Sequence, residues 1–329
     1  MINWGIIGCG NVTEVKSGPA FSKVPGSKLV AVMRRNRSLA EDYARRHKVP
    51  RFYDDADDLI NDPEVNAVYV ATPPSSHAEY ALKTIEVGKP VYIEKPMALN
   101  YAECLRINEA AEKNNVPVFV AYYRRTLPGF LLVKEIIEKG TIGIPRFIRL
   151  QLLRGFSKEE KKGQLPWRVY PEIAGGGHFF DLASHQLDYA DFLFGPIKYV
   201  RSITLNQGTK YKAEDYVSAE FMFPDNIAGS GTWCFNLYDG MDRDLIEIFG
   251  DKGSISFPTF TFEPIVVTGI NGTTKFINEK PKNIQLYLIG QIVSALEGKG
   301  SVVSTGITAS RTSKVMDEIV EGYYKGVKA

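Results

Sequence analysis

The sequence predicts two halves: an α/β half wound on both sides of a parallel sheet, then an α+β half with a large, mostly antiparallel open sheet. Three observations carry this reading. Residues 1–121 alternate short apolar runs with helix-compatible stretches, the pattern of successive βα units. From residue 199 onward, strand-like runs follow one another with turn signals and few helices between them. A glycine turn, Gly8-Cys9-Gly10, joins the first apolar run directly to a helix-compatible stretch. A length of 329 residues fits two domains, and the change of pattern divides them as 1–122 and 123–329.

The first run holds Ile2, Trp4, Ile6 and Ile7 and suits a strand buried on both faces. Gly8 permits a tight turn, and Gly10 lets backbone approach a phosphate with no side chain in the way. Asn11 and Val12 open the helix whose free N–H groups would face negative charge. Strand, glycine turn and helix together form the context a dinucleotide pyrophosphate needs; the plainer reading is a βα turn that binds nothing. The third glycine of G-x-G-x-x-G is replaced by Thr13, which predicts a looser or differently angled helix.

A second strand is expected over 28–33 and a helix over 38–47 with Ser38 as its cap. A helical turn follows at 57–60, a buried strand at 67–71 stopped by Thr72-Pro73-Pro74, and a helix at 76–87 ended by Gly88. Residues 90–93 read as strand, 101–114 as helix and 116–121 as strand. In the second half, 128–139 reads as helix, 146–153 as strand, 155–177 as loop and 181–194 as helix. Strands are expected at 199–206, 215–223, 228–236, 245–249, 254–257 and 261–267. Asp251-Lys252-Gly253 and Asn271-Gly272 mark hairpin turns, and helices at 283–296 and 308–324 close the chain.

Composition narrows the class. Hydrophobic and charged fractions of 44% and 24% are those of a globular protein, and a formal net charge of +2 with no long basic run argues against nucleic acid as partner. No apolar stretch is long enough for a membrane span, and no signal peptide is visible, so a cytoplasmic location is expected. Cys9, Cys104 and Cys234 are sparse and odd in number, which fits a reducing compartment; Cys9 reads as a packing residue. His47, His77, His178 and His185 form no recognisable metal-ligand set, so no metal is expected.

Three further signals carry chemistry. Glu94-Lys95-Pro96 stands at the C-terminal end of a buried strand, the edge where doubly wound sheets bind ligands. Pro96 restricts Lys95 to extended geometry, and the bond between them could be cis. Asp181 and His185 lie four apart and share a helix face, directly after three glycines. A carboxylate beside an imidazole sets its tautomer and favours its charged form, which suits a general acid/base. Arg34 and Arg35 end the second strand, where NAD-specific sites often carry an acid for the ribose hydroxyl; arginines there suit a 2′-phosphate and favour NADP over NAD. Each signal has a plainer reading: a solvated lysine, a surface Asp–His pair, a solvated basic loop.

The set GCGN at 8–11, ATPPSSH at 71–77, EKPM at 94–97, YRR at 123–125 and GGGHFFDLASH at 175–185 resembles the Gfo/Idh/MocA oxidoreductase family over nearly the whole chain. The resemblance implies a Rossmann domain, a substrate domain and an active site between them. It implies Lys95 as catalytic lysine, with Asp181 and His185 as its paired residues. It places Thr72, Pro73, His77, Glu94 and Lys95 along the dinucleotide, with Arg124, Trp167 and Arg168 reaching over it. The activity implied is hydride transfer between a nicotinamide and a sugar, polyol or related compound, by a homodimer or homotetramer. The loop 155–170 is expected to line the substrate pocket. Two other functions remain open from the motifs: an NAD-dependent glycosidase working by transient oxidation and elimination, and a dinucleotide-sensing regulator without catalysis.

Overall fold

Strand β1 (Ile2–Ile7) lies near the middle of a six-stranded parallel sheet of order β3-β2-β1-β4-β5-β6. Its neighbours are β2 (Ser27–Met33) and β4 (Ala67–Val70), with β3 (Arg51–Tyr53), β5 (Val91–Ile93) and β6 (Val118–Val120) outside them. The computed structural model describes residues 1–327, which form two compact units. One comprises Met1–Thr126 and Pro281–Ser310; the other comprises Leu127–Lys280 with residues 311–327.

In the first unit, β4 and β5 are wholly buried, as a parallel sheet covered on both faces requires. Helices α1 (Asn11–Val15), α2 (Gly18–Phe21), α3 (Arg37–His47), α4 (Ala56–Asn61), α5 (His77–Glu86) and α6 (Tyr101–Asn114) connect the strands. The cap of α3 is Asn36 rather than Ser38: Asn36 Oδ1 accepts the Leu39 amide at 3.1 Å, and the Ser38 hydroxyl donates to the same oxygen. The sequence reading lacked α2 and β3, whose four and three residues are too short to show a period. Residues 281–310 return to this sheet's edge, where Val120 N donates to Ser304 O and the Ser304 hydroxyl to Val120 O.

The second unit is built on eight strands in the order β14-β13-β12-β11-β7-β10-β9-β8. It begins with α7 (Pro128–Glu138) and β7 (Pro145–Gly155). The stretch 155–177 expected as loop holds two short helices, α8 (Lys158–Lys161) and α9 (Pro171–Ala174), then comes α10 (Ser184–Phe194). Strands β8 (Lys198–Leu205), β9 (Tyr216–Met222), β10 (Ala228–Leu237), β11 (Arg243–Gly250), β12 (Gly253–Phe257), β13 (Ile265–Gly269) and β14 (Gly272–Phe276) complete the sheet. All pairings are antiparallel except β7 with β10. Asp251-Lys252 closes the β11–β12 hairpin and Ile270-Asn271 the β13–β14 hairpin; β14 was not foreseen beyond its turn.

Along β7 the alternation is clear: Ile148, Leu150 and Leu152 are buried, while the residues between them are not. The buried face carries α7 and α10: the Tyr189 hydroxyl donates to Phe130 O at 2.6 Å, and both rings meet Phe257 edge-on. The chain closes with α11 (Leu286–Leu296) and α12 (Gly306–Val327). Among the described residues no helix is long and apolar enough to cross a membrane.

Candidate active site

In the first unit the expected residues gather at the C-terminal ends of the parallel strands. Gly8 follows β1 with φ +88°, the left-handed region that favours glycine. A Cβ on Gly8 would stand 2.7 Å from Thr72 Cγ2, so the turn presses directly on the end of β4. Gly8 N and Cys9 N both donate to Met33 O, which seats the turn against the end of β2 as well. Burial raises the Cys9 thiol to about 11, against the pull of Arg34, so Cys9 is a packing residue at neutral pH.

Gly10 differs from Gly8. A Cβ there would meet nothing nearer than Gly8 O at 3.8 Å, so the missing side chain leaves open space rather than relieving a clash. That opening fits a pyrophosphate approaching bare backbone. Thr13, at the third fingerprint position, is fully buried and does not loosen the packing. Its hydroxyl donates to Gly10 O at 2.8 Å and accepts from Gly10 N at 3.0 Å, closing the turn as a cap. The close approach a third glycine would give occurs at Gly18, where a Cβ would lie 2.2 Å from Thr13 O. The helix after the turn is short because α1 ends at Val15; Asn11 is exposed and Val12 half-buried. Glu14 ties α1 to α3 by accepting from Arg46 and facing His47 Nε2 at 2.7 Å.

The basic cluster after β2 separates into two parts. Arg37 pairs with Asp54 at 3.1 Å and covers the Phe52 ring. Arg34 and Arg35 are exposed, and neither has an ion-pair partner among the described residues.

His77 joins two of the motifs. It is fully buried at the start of α5, with Nε2 at 2.7 Å from Thr72 O and Nδ1 at 2.9 Å from Pro96 O. Only a protonated ring can donate to both carbonyls. Burial opposes that charge and holds the imidazole below its usual value. The buried ring packs between the Thr72-Pro73 loop and the loop after β5, where the Lys95–Pro96 bond is cis.

Glu94 is buried and well supplied with donors. Its Oε1 accepts the Tyr69 hydroxyl at 2.5 Å and Gln285 Nε2 at 2.6 Å, and its Oε2 accepts the Lys95 amide at 3.2 Å. Lys95 itself is half-buried. Arg124 is buried with its guanidinium 5.2 Å from the Tyr123 ring centroid. Sequence reasoning missed Tyr69 and Gln285. Tyr69 was visible only as an apolar strand residue, and Gln285 lies 191 residues from Glu94.

The second unit places the remaining residues around the start of α10. Asp181 sits in a π-helical turn, Phe179–Ala183, that runs into α10, a wide turn often found at functional sites. Arg168 Nε donates to Asp181 Oδ2 at 2.9 Å, and the same guanidinium lies 4.5 Å from the Trp167 ring centroid. Trp167, Arg168 and Asp181 therefore form one cluster, a pairing that the spacing of the residues did not suggest. His185 is buried on α10 with its ring edge-on to Phe260 at 5.8 Å. Phe260 is held from behind, because Asp244 accepts the Thr259 and Phe260 amides at 2.9 and 2.5 Å.

Just before Asp181, His178 Nε2 meets Glu160 Oε1 at 2.7 Å. Burial alone would raise the Glu160 carboxyl, but the bonds from His178 and from the Ser157 amide outweigh it and hold it down to about 2. This contact fixes α8, the first helix of the stretch expected as loop, against the motif.

Known proteins match both halves of the chain. The family model described as "Oxidoreductase family, NAD-binding Rossmann fold" matches residues 2–122, and the GFO/IDH/MocA C-terminal domain matches 130–256. Oxidoreductase P35 of Formosa agariphila is 42% identical over 318 residues, covering 96% of this chain and 97% of that protein. The scyllo-inositol 2-dehydrogenase (NAD(+)) of Bacillus subtilis is 29% identical, covering 83% of this chain and 78% of that protein. A levoglucosan dehydrogenase solved with NADH and L-sorbose superposes with a TM-score of 0.89 at 25% identity, covering 98% of this chain and 97% of that one. With both halves matched in order and a 42% identical relative spanning nearly its full length, the chain belongs to the GFO/IDH/MocA oxidoreductases, whose first domain is an NAD-binding Rossmann fold.

Proposed function

We propose that this oxidoreductase moves a hydride between a nicotinamide dinucleotide and a hydroxyl-bearing carbon of a sugar, polyol or related compound. The observation that carries the proposal is the first unit's strand ends. There the Gly8–Gly10 turn, the Thr72-Pro73 loop and the Glu94-Lys95-Pro96 loop are fixed to one another by Gly8 packing and His77. The bound dinucleotide supplies the hydride acceptor or donor.

The chain's own residues would do the rest. The backbone of residues 8–12 would receive the pyrophosphate, with Thr72, Pro73 and His77 shaping the adjoining wall. Lys95 would polarise the reacting oxygen and stabilise negative charge developing on it. His185 would take the hydroxyl proton in oxidation and return it in reduction, its ring set against the edge of Phe260. Asp181, held by Arg168, would set the local charge near that imidazole, and Arg124 and Trp167 would bear on the dinucleotide. Relatives named for levoglucosan and scyllo-inositol support a polyhydroxylated substrate.

NADP is the proposed preference, because Arg34 and Arg35 are exposed and unpaired where a 2′-phosphate would need two guanidinium groups. The NADH complex of the levoglucosan dehydrogenase makes this the part most open to test. Fluorescence titration with NADPH and NADH should show tighter NADPH binding, and Arg34→Ala/Arg35→Ala should abolish the difference. A panel of levoglucosan, L-sorbose and scyllo-inositol, followed by reduced-nicotinamide absorbance, should then show turnover. Lys95→Met should lower that turnover by about 10²–10⁴-fold with dinucleotide affinity nearly unchanged. Near-normal turnover in Lys95→Met would refute the assignment, and equal affinity for the two dinucleotides would refute the NADP preference.

A further inference from the structure

We propose that Gln285 is a positioning residue for Lys95, acting through the Glu94 carboxylate; the inference rests on the hydride-transfer reading above. Gln285 is wholly buried in the first unit, at the start of α11 and far from every motif of the sequence. Its Nε2 donates to Glu94 Oε1 at 2.6 Å, and its Oε1 accepts the Tyr92 hydroxyl at 2.8 Å. Glu94 in turn holds the Lys95 amide through Oε2. Donated bonds therefore converge on the Glu94 carboxylate, from Tyr92 through Gln285 on one oxygen and from the Lys95 amide on the other.

The orientation of the Gln285 amide follows from chemistry. Rotating the Gln285 amide would set its carbonyl oxygen against the Glu94 oxygen, two acceptors at contact distance. The two tyrosines remain protonated donors, because burial, and after it the charge of Glu94, pushes both phenols well above their usual value. Their rings stack at 4.8 Å, so Tyr69 and Tyr92 present both hydroxyls to one polar cluster. Each buried polar atom of Glu94 and Gln285 named here has a partner, the condition under which such a network selects one conformation.

The segment that carries Gln285 is itself anchored. Two residues earlier, Asn283 Oδ1 accepts Lys23 Nζ at 2.6 Å, and Ile289 N donates to Gln285 O at 3.0 Å as α11 begins. A side chain fixed in this way can hold the Glu94 carboxylate in one orientation, and with it the peptide from which Lys95 projects. Tyr69 alone could satisfy Glu94 Oε1, but a single hydroxyl on a rotatable bond defines the carboxylate's orientation less narrowly than Tyr69 and Gln285 together.

Gln285→Leu, Gln285→Glu and Tyr92→Phe in the full-length chain test this. Gln285→Leu should lower kcat about 10- to 100-fold, with sugar KM and NADPH affinity within about threefold of wild type. Tyr92→Phe should lower kcat by less. In Gln285→Glu the introduced carboxyl, while protonated, donates to Glu94 and accepts from Tyr92 as the amide does; once ionised it opposes Glu94. Its turnover relative to wild type should therefore be highest at the acid end of the profile and fall as pH rises.

A second readout needs no dinucleotide. Buried beside a carboxylate, the introduced group has a folded pKa above its unfolded value of about 4.3, so its stability is retained below that pH and lost as pH rises past it. The melting-temperature gap between wild type and Gln285→Glu should widen in the same direction. Wild-type kcat in a folded Gln285→Leu, or a Gln285→Glu to wild-type ratio of turnover independent of pH, would overturn the inference while leaving the hydride-transfer reading standing. A wild-type chain that turns over none of the sugars would instead overturn that reading, and the role of Gln285 with it.

Discussion

The two units hold their candidate residues by different means. In the first, backbone does most of the holding. Gly8 is pressed on Thr72, His77 faces two carbonyls, and Glu94 accepts the amide of the residue after it. In the second, side-chain charge does it. Arg168 reaches Asp181, and His178 meets Glu160. A parallel sheet ends all its strands on one edge, so short loops there can be fixed through peptide groups. The second unit's residues project from a helix start and from the irregular stretch before it, where no ladder supplies such partners. Backbone-held sites should tolerate no change of chain conformation, whereas charge-held ones should respond to pH.

The largest expected effect separates two glycines of one turn. Gly8→Ala should destabilise the fold by about 1–3 kcal/mol, because φ +88° and the contact with Thr72 both oppose a side chain. Gly10→Ala should melt like wild type yet bind dinucleotide at least about tenfold more weakly, since its Cβ meets only open space in the protein. Calorimetric melting and a dinucleotide titration on both variants decide this. Normal binding in Gly10→Ala would remove the turn from the cofactor site.

The next effect is a pH dependence. The Glu160 carboxyl is held down to about 2 from an ordinary 4.5, and its side chain is only 4% exposed. A depressed pKa gives stability that is present above 4.5 and lost as pH falls toward about 2. A glutamine oxygen can still accept the Ser157 amide, so Glu160→Gln should cost about 1–2 kcal/mol at neutral pH, and the gap to wild type should close across that acid window. Denaturant melts at several pH values give the answer. A gap that stays constant with pH would show that shape, not charge, holds α8.

The smallest effect is at the half-exposed Arg168–Asp181 pair. Solvent screening limits its worth to about 1 kcal/mol or less, so Arg168→Gln should leave stability almost unchanged. Turnover should fall no more than about tenfold, with a displaced pH–rate profile. A profile that superposes on wild type would mean that the charge on Arg168 does not reach the acid/base group.

Much of this was readable in the residues themselves, and the reason is distance along the chain. The glycine turn after β1, the lysine before Pro96, the Asp251-Lys252 hairpin and the βα alternation are local patterns, set by backbone sterics and apolar period within a dozen residues. The family followed from several such patterns in order. Short elements escaped: α2, β3 and α8 have too few residues to show a period, and Asn36 took the cap from Ser38 by accepting the Leu39 amide three residues on.

What only the tertiary structure decided are contacts between residues remote in sequence. The parallel pairing of β7 with β10, the return of residues 281–310 to the first sheet, the Arg168–Asp181 pair and the Gln285 amide on Glu94 leave no periodic trace. A buried glutamine 191 residues from its partner reads in sequence as one more polar residue before a helix. Its meaning comes from the desolvated carboxylate it faces, which only folding brings to it.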